Sequence, residues 1–310
     1  MGSEKYAIGI DLGGTKIAGA ILNPEGGLIH AREVPTNAEL GPEAVYRNLL
    51  DQVRKLIEES GLSREEILGA GVGVPGVVSS SGTVKWAPAL GWRDFPLAQT
   101  LQGDLTLPVY VENDVNLQAL GEYHYGEEQG ADPMVFLAVG TGLGSGIIIN
   151  GRLLRGSHNA AGEVCNMVTD PEQLGKAFDR FGCLEGFASG TGIARLFAEA
   201  YEAKHGEQLE DSTGKKVFLL AREGDELARD VVRQFTRYLA LAVVNISTVI
   251  DPEVIVLGGG VARNADLFLT DLYELCEPVL QAVPRLAVSR LDLAAGIKGA
   301  AAMARSRNSR

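Results

Sequence analysis

Cysteine is scarce in this chain of 310 residues, which contains only Cys165, Cys183 and Cys276. The three lie far apart and form no CxxC pair, so a disulfide framework is not expected and a reducing compartment such as the cytoplasm is favoured. Neither Cys165 nor Cys183 has another Cys or His nearby at the spacing of metal ligands. The sequence therefore predicts no thiolate-based metal site.

Long hydrophobic runs and excess positive charge are also missing. No apolar stretch reaches about 18 residues without a charge or a helix breaker, and no basic segment with an apolar core opens the chain, so neither a membrane span nor a signal peptide is expected. The net charge of −12 disfavours non-specific binding to nucleic acid or to anionic membranes. A local cluster of hydrogen-bond donors can still hold a nucleotide.

Glycine, in contrast, is abundant, with 39 residues, and three glycine-rich turns directly follow apolar runs that end at Ile10, Val139 and Leu257. Because glycine lets backbone N–H groups approach a polyphosphate closely, three such turns together favour a nucleotide site. The third turn, which we expect to open toward a helix over residues 262–269, suits a base or a ribose. The alternative is that all three are ordinary tight exits from strands.

The first turn carries more than glycine. Asp11-Leu12-Gly13-Gly14-Thr15-Lys16 separates two apolar runs, a pattern typical of a strand, a tight turn and a returning strand rather than of the common P-loop. The hydroxyl of Thr15 and the ammonium of Lys16 could bind phosphate, and Asp11 could hold the accompanying Mg²⁺ directly or through water. The same order returns about 130 residues later around residues 140–146, which indicates two similar α/β halves that face a cleft.

Helical periodicity and its breaks complete the outline. Apolar spacing predicts helices over residues 42–60, 115–125, 186–204, 225–250 and 294–306. Residues 205–216 are the most loop-like stretch.

The triplet Glu112-Asn113-Asp114 ends a short predicted strand and begins a helix, the edge at which open α/β folds bind ligands. Asn113 can donate to and accept from a sugar hydroxyl. Asp114 can take the proton of an attacking hydroxyl during phosphoryl transfer. The alternative role for Asp114 is that of a helix N-cap, which this position favours.

Two further carboxylates, Glu163 and Glu185, each follow small residues and could bind neighbouring sugar hydroxyls. The alternative is solvent-facing charge, the usual role of a lone Glu. Trp86 and Trp92 form an aromatic loop, for which core packing and a wall that stacks on a sugar are the two interpretations.

Seven motifs of the chain occur together in the order seen in one known family. They are Asp11-Leu12-Gly13-Gly14-Thr15-Lys16, Gly71-Val72-Gly73-Val74-Pro75-Gly76, Leu90-Gly91-Trp92, Glu112-Asn113-Asp114, Gly140-Thr141-Gly142-Leu143-Gly144-Ser145-Gly146, Gly182-Cys183-Leu184-Glu185 and Leu257-Gly258-Gly259-Gly260. With them the chain resembles the ROK family of bacterial sugar kinases and sugar-responsive repressors, and it looks most like the glucokinases of that family. The resemblance covers essentially the whole chain.

The resemblance implies an α/β chain with the actin-like (ribonuclease H-like), two-domain ATPase fold, usually dimeric, with sugar and ATP in the interdomain cleft. It implies a smaller domain of residues 1–112 plus 296–310 and a larger domain of residues 113–295. The implied reaction is ATP- and Mg²⁺-dependent phosphorylation of a hexose, commonly at the 6-hydroxyl. Glucose is the first substrate to try.

Roles follow from the resemblance by position. Asp114 would be the general base, and the sugar would contact Gly76, Asn113, Glu163, Glu185 and the position of Asn166. The nucleotide would contact Asp11, Gly13, Gly14, Thr15, Lys16, Thr141, Gly142 and Gly259, with Asp11 also serving Mg²⁺.

The chain departs from the family in two places. Many members hold a structural zinc with one His and three Cys; here the His position is Asn166, two Cys positions are Lys176 and Phe178, and only Cys183 remains. One thiol cannot form a tetrahedral site, so we predict no zinc. In addition, Ala89 stands where glucokinases usually have Asn before Leu-Gly-Trp, and both changes affect groups that can select the sugar.

The alternatives are an N-acetylmannosamine or N-acetylglucosamine kinase, a kinase for another sugar-like polyol, and a protein that binds sugar without catalysis. A sugar-sensing regulator is disfavoured, because the ten residues before Asp11 are too few for a DNA-binding domain. Polyphosphate as the phosphoryl donor also stays open.

Overall fold

The chain alternates strands and helices in a computed structural model that describes residues 5–176, 183–209, 211–291 and 294–308. The strands are β1 (Tyr6–Leu12), β2 (Lys16–Leu22), β3 (Leu28–Pro35), β4 (Ile67–Val74), β5 (Val77–Val78), β6 (Val84–Ala87), β7 (Trp92–Phe95), β8 (Val109–Asn113), β9 (Met134–Val139), β10 (Leu143–Ile149), β11 (Arg152–Leu153), β12 (Val254–Gly258) and β13 (Arg285–Val288). The helices are α1 (Pro42–Ser60), α2 (Leu97–Leu105), α3 (Asp114–Tyr125), α4 (Glu185–Ala188), α5 (Gly190–His205), α6 (Gly214–Glu223), α7 (Glu226–Ile250), α8 (Gly259–Ala262), α9 (Leu269–Cys276) and α10 (Ala294–Asn308).

Two five-stranded sheets have the same construction. The first has the order β3-β2-β1-β4-β8 and the second the order β11-β10-β9-β12-β13. In each, an antiparallel hairpin (β1 with β2, β9 with β10) is continued by parallel strands. The predicted repeat of strand, glycine turn and strand is therefore confirmed, since each copy begins one of the sheets.

Each sheet has a hydrophobic core of its own. On the first, α1 buries the apolar face that its periodicity predicts, with Val45, Leu49 and Val53 fully buried against the sheet. On the second, α6, α7 and the segment before α9 meet through Phe218, Phe235 and Phe268.

The closing helix α10 packs against α3, β1 and β4. The contact is backbone to backbone: a Cβ atom added at Gly71 would overlap the carbonyl of Ala300, and one added at Gly9 would overlap that of Ile297. This approach brings Gly296, at the start of α10, close to Asp11 on the first sheet. The domain boundaries near residues 112 and 296 stay a prediction.

Three secondary-structure predictions need correction. The predicted helix over 262–269 is wrong, because α8 ends at Ala262 and a 3-10 turn separates it from α9. The helix predicted over 186–204 is two helices, since Ser189 has an extended backbone and caps α5 by accepting from the N–H of Gly192. The predicted loop over 205–216 ends early, because α6 begins at Gly214. Among the described residues, no helix has the length and apolar character needed to cross a bilayer.

Candidate active site

A cleft of about 650 Å³ is lined by residues from both sheets. Its walls include Asp11 and Asp114 beside the first sheet and Gly140 and Gly142–Gly144 of the second. The strand ends that precede the three glycine turns therefore meet in one place, although the tip of the first turn does not line the cleft.

Asp114 is the first residue of α3 and faces this cleft. Burial raises the pKa of Asp114 to about 7, with a smaller contribution from the nearby carboxylate of Asp11. The N–H of Val115 donates to Oδ1 of Asp114 at 3.0 Å, and this hydrogen bond lowers the pKa and so opposes the shift. The N-cap interpretation of Asp114 is wrong. Asn113 caps α3 instead, since its Oδ1 accepts from the N–H of Asn116 at 3.1 Å. The carboxylate of Asp114 is thus directed to the cleft and has a pKa suited to accepting a proton near neutral pH.

Asp11 is the second carboxylate in the cleft, at the end of β1. Burial raises its pKa, and the positive charge of Lys16 lowers it. The Asp11 carboxylate fits a divalent cation, because Mg²⁺ usually takes one or two protein carboxylates and completes its shell with water and phosphate. No group of three or more His, Cys, Asp or Glu that could hold a metal occurs in the described ranges.

The predicted zinc-motif positions are only partly described. Phe178 and Gly182 lie outside the described residues. The Cys183 thiol is buried and hydrogen-bonds with Thr169 and Gln173.

Asn113 joins the turn that precedes Asp114 to the Pro75–Gly76 turn. Its Nδ2 donates to the carbonyl of Gly76 at 3.1 Å. Gly76 has φ +152°, and a Cβ there would overlap the carbonyl of Trp86. Asn113 and Gly76 both line the cleft. Each Asn113 amide atom therefore has one protein partner, and a ligand must use the remaining N–H or lone pair.

The two predicted sugar-binding glutamates both line the cleft but differ in their surroundings. Glu163 is exposed there and lies beside Cys165, whose Sγ donates to Oε2 at 3.5 Å. Burial and the Glu163 charge raise the pKa of Cys165 to about 12. Glu185 accepts the N–H of Leu143 on Oε2 at 2.8 Å, so one of its oxygens supports the second glycine turn. Asn166 ends a 3-10 turn, is exposed, and is not part of the cleft lining.

The second and third glycine turns both reach the cleft. Gly142 and Gly259 line it, whereas Thr141 is exposed outside the lining and offers its carbonyl to the hydroxyl of Thr191 at 2.7 Å. Gly259 has φ +86°, and a Cβ there would lie 2.5 Å from the carbonyl oxygen of Val139. Only glycine allows the backbone of this turn to approach so closely.

The tip of the first turn lies away from the cleft lining. The backbone N–H of Gly13 donates to the carbonyl of Lys16 at 2.9 Å, and the Lys16 ammonium pairs with Glu33 at 2.7 Å. Gly14 lies against Ala89, with 3.3 Å between the Ala89 Cβ and a Cβ built on the glycine. The structure therefore brings Asp11 into the cleft but not Gly13, Gly14, Thr15 or Lys16, whose nucleotide contacts stay a prediction.

The sequence over residues 7–307 matches the ROK family. The chain belongs to the ROK family. A glucokinase of Halalkalibacterium halodurans is 36% identical over 298 residues, covering 92% of this chain and 88% of the relative. An N-acetylmannosamine kinase of Escherichia coli is 33% identical and covers 96% of this chain and 97% of the relative. The crystal structure of a ROK family glucokinase from Streptomyces griseus, in complex with glucose and AMPPNP, matches with a TM-score of 0.80 at 30% identity, over 97% of this chain and 99% of that one.

This ROK chain has the actin-like, two-domain ATPase fold with an interdomain cleft. Among the lining residues that no motif of the sequence analysis included are Gln118, Arg263 and Gly296. Gln118 lies four residues after Asp114 on α3 and shares its helix face, a signal that spacing contained. Among the described residues that line the cleft, Arg263 is the only one with a permanent positive charge, and no motif marks it.

The two tryptophans of this ROK chain do not line the cleft. Trp92 is buried and donates Nε1–H to the carbonyl of Pro42 at 3.1 Å, so the core interpretation is correct for it. Trp86 is half exposed, with the guanidinium of Arg93 stacked on its ring.

Proposed function

We propose that the protein transfers the γ-phosphoryl group of ATP to the 6-hydroxyl of a hexose, with glucose as the first choice and Asp114 as the general base. The chain is an ATP-dependent sugar kinase, an assignment supported by its glucokinase relatives and by a glucokinase of the same fold bound to glucose and AMPPNP. The observation that carries the finer proposal is the Asp114 carboxylate, which faces the cleft and has a pKa of about 7.

In the proposed step, the sugar hydroxyl oxygen attacks the γ-phosphorus as the bond from that phosphorus to the β,γ-bridging oxygen breaks. The hydroxyl proton passes to Asp114. Positioning and charge stabilisation supply most of the rate in phosphoryl transfer, and the base completes the proton balance. Asn113 holds the turn that aims Asp114 through its cap of α3 and its bond to Gly76.

On the nucleotide side, Asp11 would hold Mg²⁺, which when bound neutralises the phosphate charge. The backbone of Gly142 and Gly259 and the guanidinium of Arg263 line the same cleft and supply donors of the kind that phosphates bind.

Sugar selection is assigned to Glu163, Glu185 and the Gly76 turn. N-acetylmannosamine is the second candidate, because a relative named as a kinase for that sugar covers nearly the whole chain at 33% identity. An effect of the family departures at Asn166 and Ala89 on this choice stays a prediction, because neither residue lines the cleft. A homodimer and a cytoplasmic location also stay proposals.

A phosphorylation screen tests the substrate. The protein is incubated with ATP and Mg²⁺ and with each member of a panel of hexoses, N-acetylhexosamines and cyclitols, and ADP release is followed in a coupled assay. We expect the highest kcat/KM with glucose and a 6-phosphate product by ³¹P NMR. Turnover confined to N-acetylmannosamine would replace the substrate, and no turnover of any sugar with ATP or polyphosphate would refute the kinase proposal.

The pH profile of turnover follows from the raised pKa of Asp114. Below about pH 7 the carboxyl is protonated and cannot accept a proton, whereas above it the base is available. We therefore expect kcat/KM for the sugar to fall about tenfold for each pH unit below that value and to level off above it. A profile that stays flat from pH 5 to 8, with the protein still folded, would contradict the assignment.

A further inference from the structure

Glu112, the first residue of the Glu112-Asn113-Asp114 triplet, has no role in the proposed chemistry, yet its carboxylate is buried. Its side chain is only 7% exposed, at the end of β8. A buried carboxylate is costly unless it is paired and hydrogen-bonded, so its partners must be identified.

One oxygen of Glu112 accepts two hydrogen bonds from residues on either side of Asp114. Its Oε1 accepts the backbone N–H of Asn113 at 3.0 Å and the Nδ2–H of Asn116 at 3.1 Å. Asp114 lies between these two donors in the chain. The carboxylate therefore holds the backbone just before the proposed base and the side chain of a residue two positions after it.

The other oxygen faces the second sheet. Oε2 of Glu112 accepts from Nε of Arg155 at 2.6 Å, and the Arg155 side chain is 28% exposed. Arg155 follows β11, and its carbonyl accepts the N–H of Ala161 at 3.1 Å, which closes the loop that leads to Glu163. Arg155 thus contacts the far end of this loop through its carbonyl and the end of β8 in the first sheet through its guanidinium.

We propose that Arg155 is a positioning residue, which through Glu112 fixes the turn bearing Asp114 relative to the loop bearing Glu163. The ion pair joins the turn with Asp114, which would deprotonate the attacking hydroxyl of the sugar, to the loop with Glu163, which would bind other hydroxyls of the same sugar. It does not involve the glycine turns at Gly142 and Gly259. The proposal rests on the proposed function for its kinetic consequence, but its structural consequence can be measured without it.

The test compares Arg155→Met with Arg155→Lys, which keeps a cation, and with Arg152→Met, a matched change at an exposed arginine three residues earlier. We expect Arg155→Met to lower kcat/KM for the sugar about tenfold or more while the KM for ATP stays within about twofold, because misplaced reacting groups lose rate steeply. Arg155→Lys should restore most of the activity, and Arg152→Met should match the unchanged protein. Equal effects of the two Met variants, or a loss confined to the KM for ATP, would overturn the proposal.

A double variant separates positioning from stability. Arg155→Met alone leaves a buried carboxylate without its cation, so we expect a lower Tm. Adding Glu112→Gln removes that charge and keeps an acceptor for Asn113 and Asn116, so Tm should recover while the sugar kcat/KM stays low. Recovery of both together would mean that the pair is only structural.

Hydrogen exchange gives a readout that needs no activity. We expect Arg155→Met to speed amide exchange in residues 112–116 and in 155–163 together, with no change in Arg152→Met. Unchanged exchange in either segment would overturn the proposal even if the protein phosphorylates sugars. If no sugar is turned over, the proposed function fails and the exchange result still decides the role of Arg155.

Discussion

Replacement of Asp114 by Asn is expected to lower sugar phosphorylation by a factor of about 10² or more, because the variant keeps the shape of the side chain but cannot accept the hydroxyl proton. The amide oxygen can still accept the N–H of Val115, so the start of α3 should be preserved. Sugar affinity, measured by calorimetry without nucleotide, should change little. Near-normal turnover in this variant would remove Asp114 as the base.

Thermal stability provides the control for folding in that variant. The pKa of Asp114 is raised in the folded state, so its contribution to stability is fully present below its unfolded pKa and is lost as pH rises through about 7. The substitution to Asn should therefore stabilise the protein more at pH 8 than at pH 5. Loss of activity together with a lower Tm at pH 8 would indicate misfolding rather than loss of the base.

Replacement of Gly259 by Ala is expected to give the second large effect, a rise of about tenfold or more in the KM for ATP. The residue has φ +86°, where an L side chain is strained, and the new Cβ would lie 2.5 Å from the carbonyl of Val139. The start of α8 must shift, which moves the third glycine turn in the cleft. Steady-state kinetics with varied ATP at saturating sugar measure the change.

Gly103→Ala on α2 is the control, because a Cβ at Gly103 meets nothing within 4 Å, the residue has no positive φ and it does not line the cleft. We expect it to leave the KM for ATP within about twofold, as its helical position tolerates Ala. The sugar affinity of Gly259→Ala, measured without ATP, should stay close to that of the unchanged protein. Equal ATP kinetics in the two glycine variants would contradict the placement of the nucleotide beside Gly259.

Local patterns predicted much of the fold. The hairpin at the start of the chain, α1 with its buried Val45 and Leu49, and the long α7 were all predictable, because alternation and helical spacing are encoded within a short segment. The position of Asp114 at a strand end was predictable for the same reason, since a short apolar strand, a polar triplet and a helix follow in sequence.

Contacts between distant segments were not predictable from such patterns. The packing of α10 on the first sheet depends on backbone approach at Gly9 and Gly71, which no periodicity encodes; the family resemblance suggested it. The pairing of Arg155 with Glu112 joins residues 43 positions apart on different sheets. The separation of Lys16 from the cleft also required the structure, because its ion pair with Glu33 forms across the β2–β3 hairpin.

The most direct test of the account is a crystal structure of the protein with glucose and a non-hydrolysable ATP analogue. We expect an Asp114 oxygen about 2.6–3.2 Å from the 6-hydroxyl, with that hydroxyl in line with the γ-phosphorus and the triphosphate beside Gly142 and Gly259. A sugar bound elsewhere, or Asp114 turned away from every sugar hydroxyl in the ternary complex, would contradict the account.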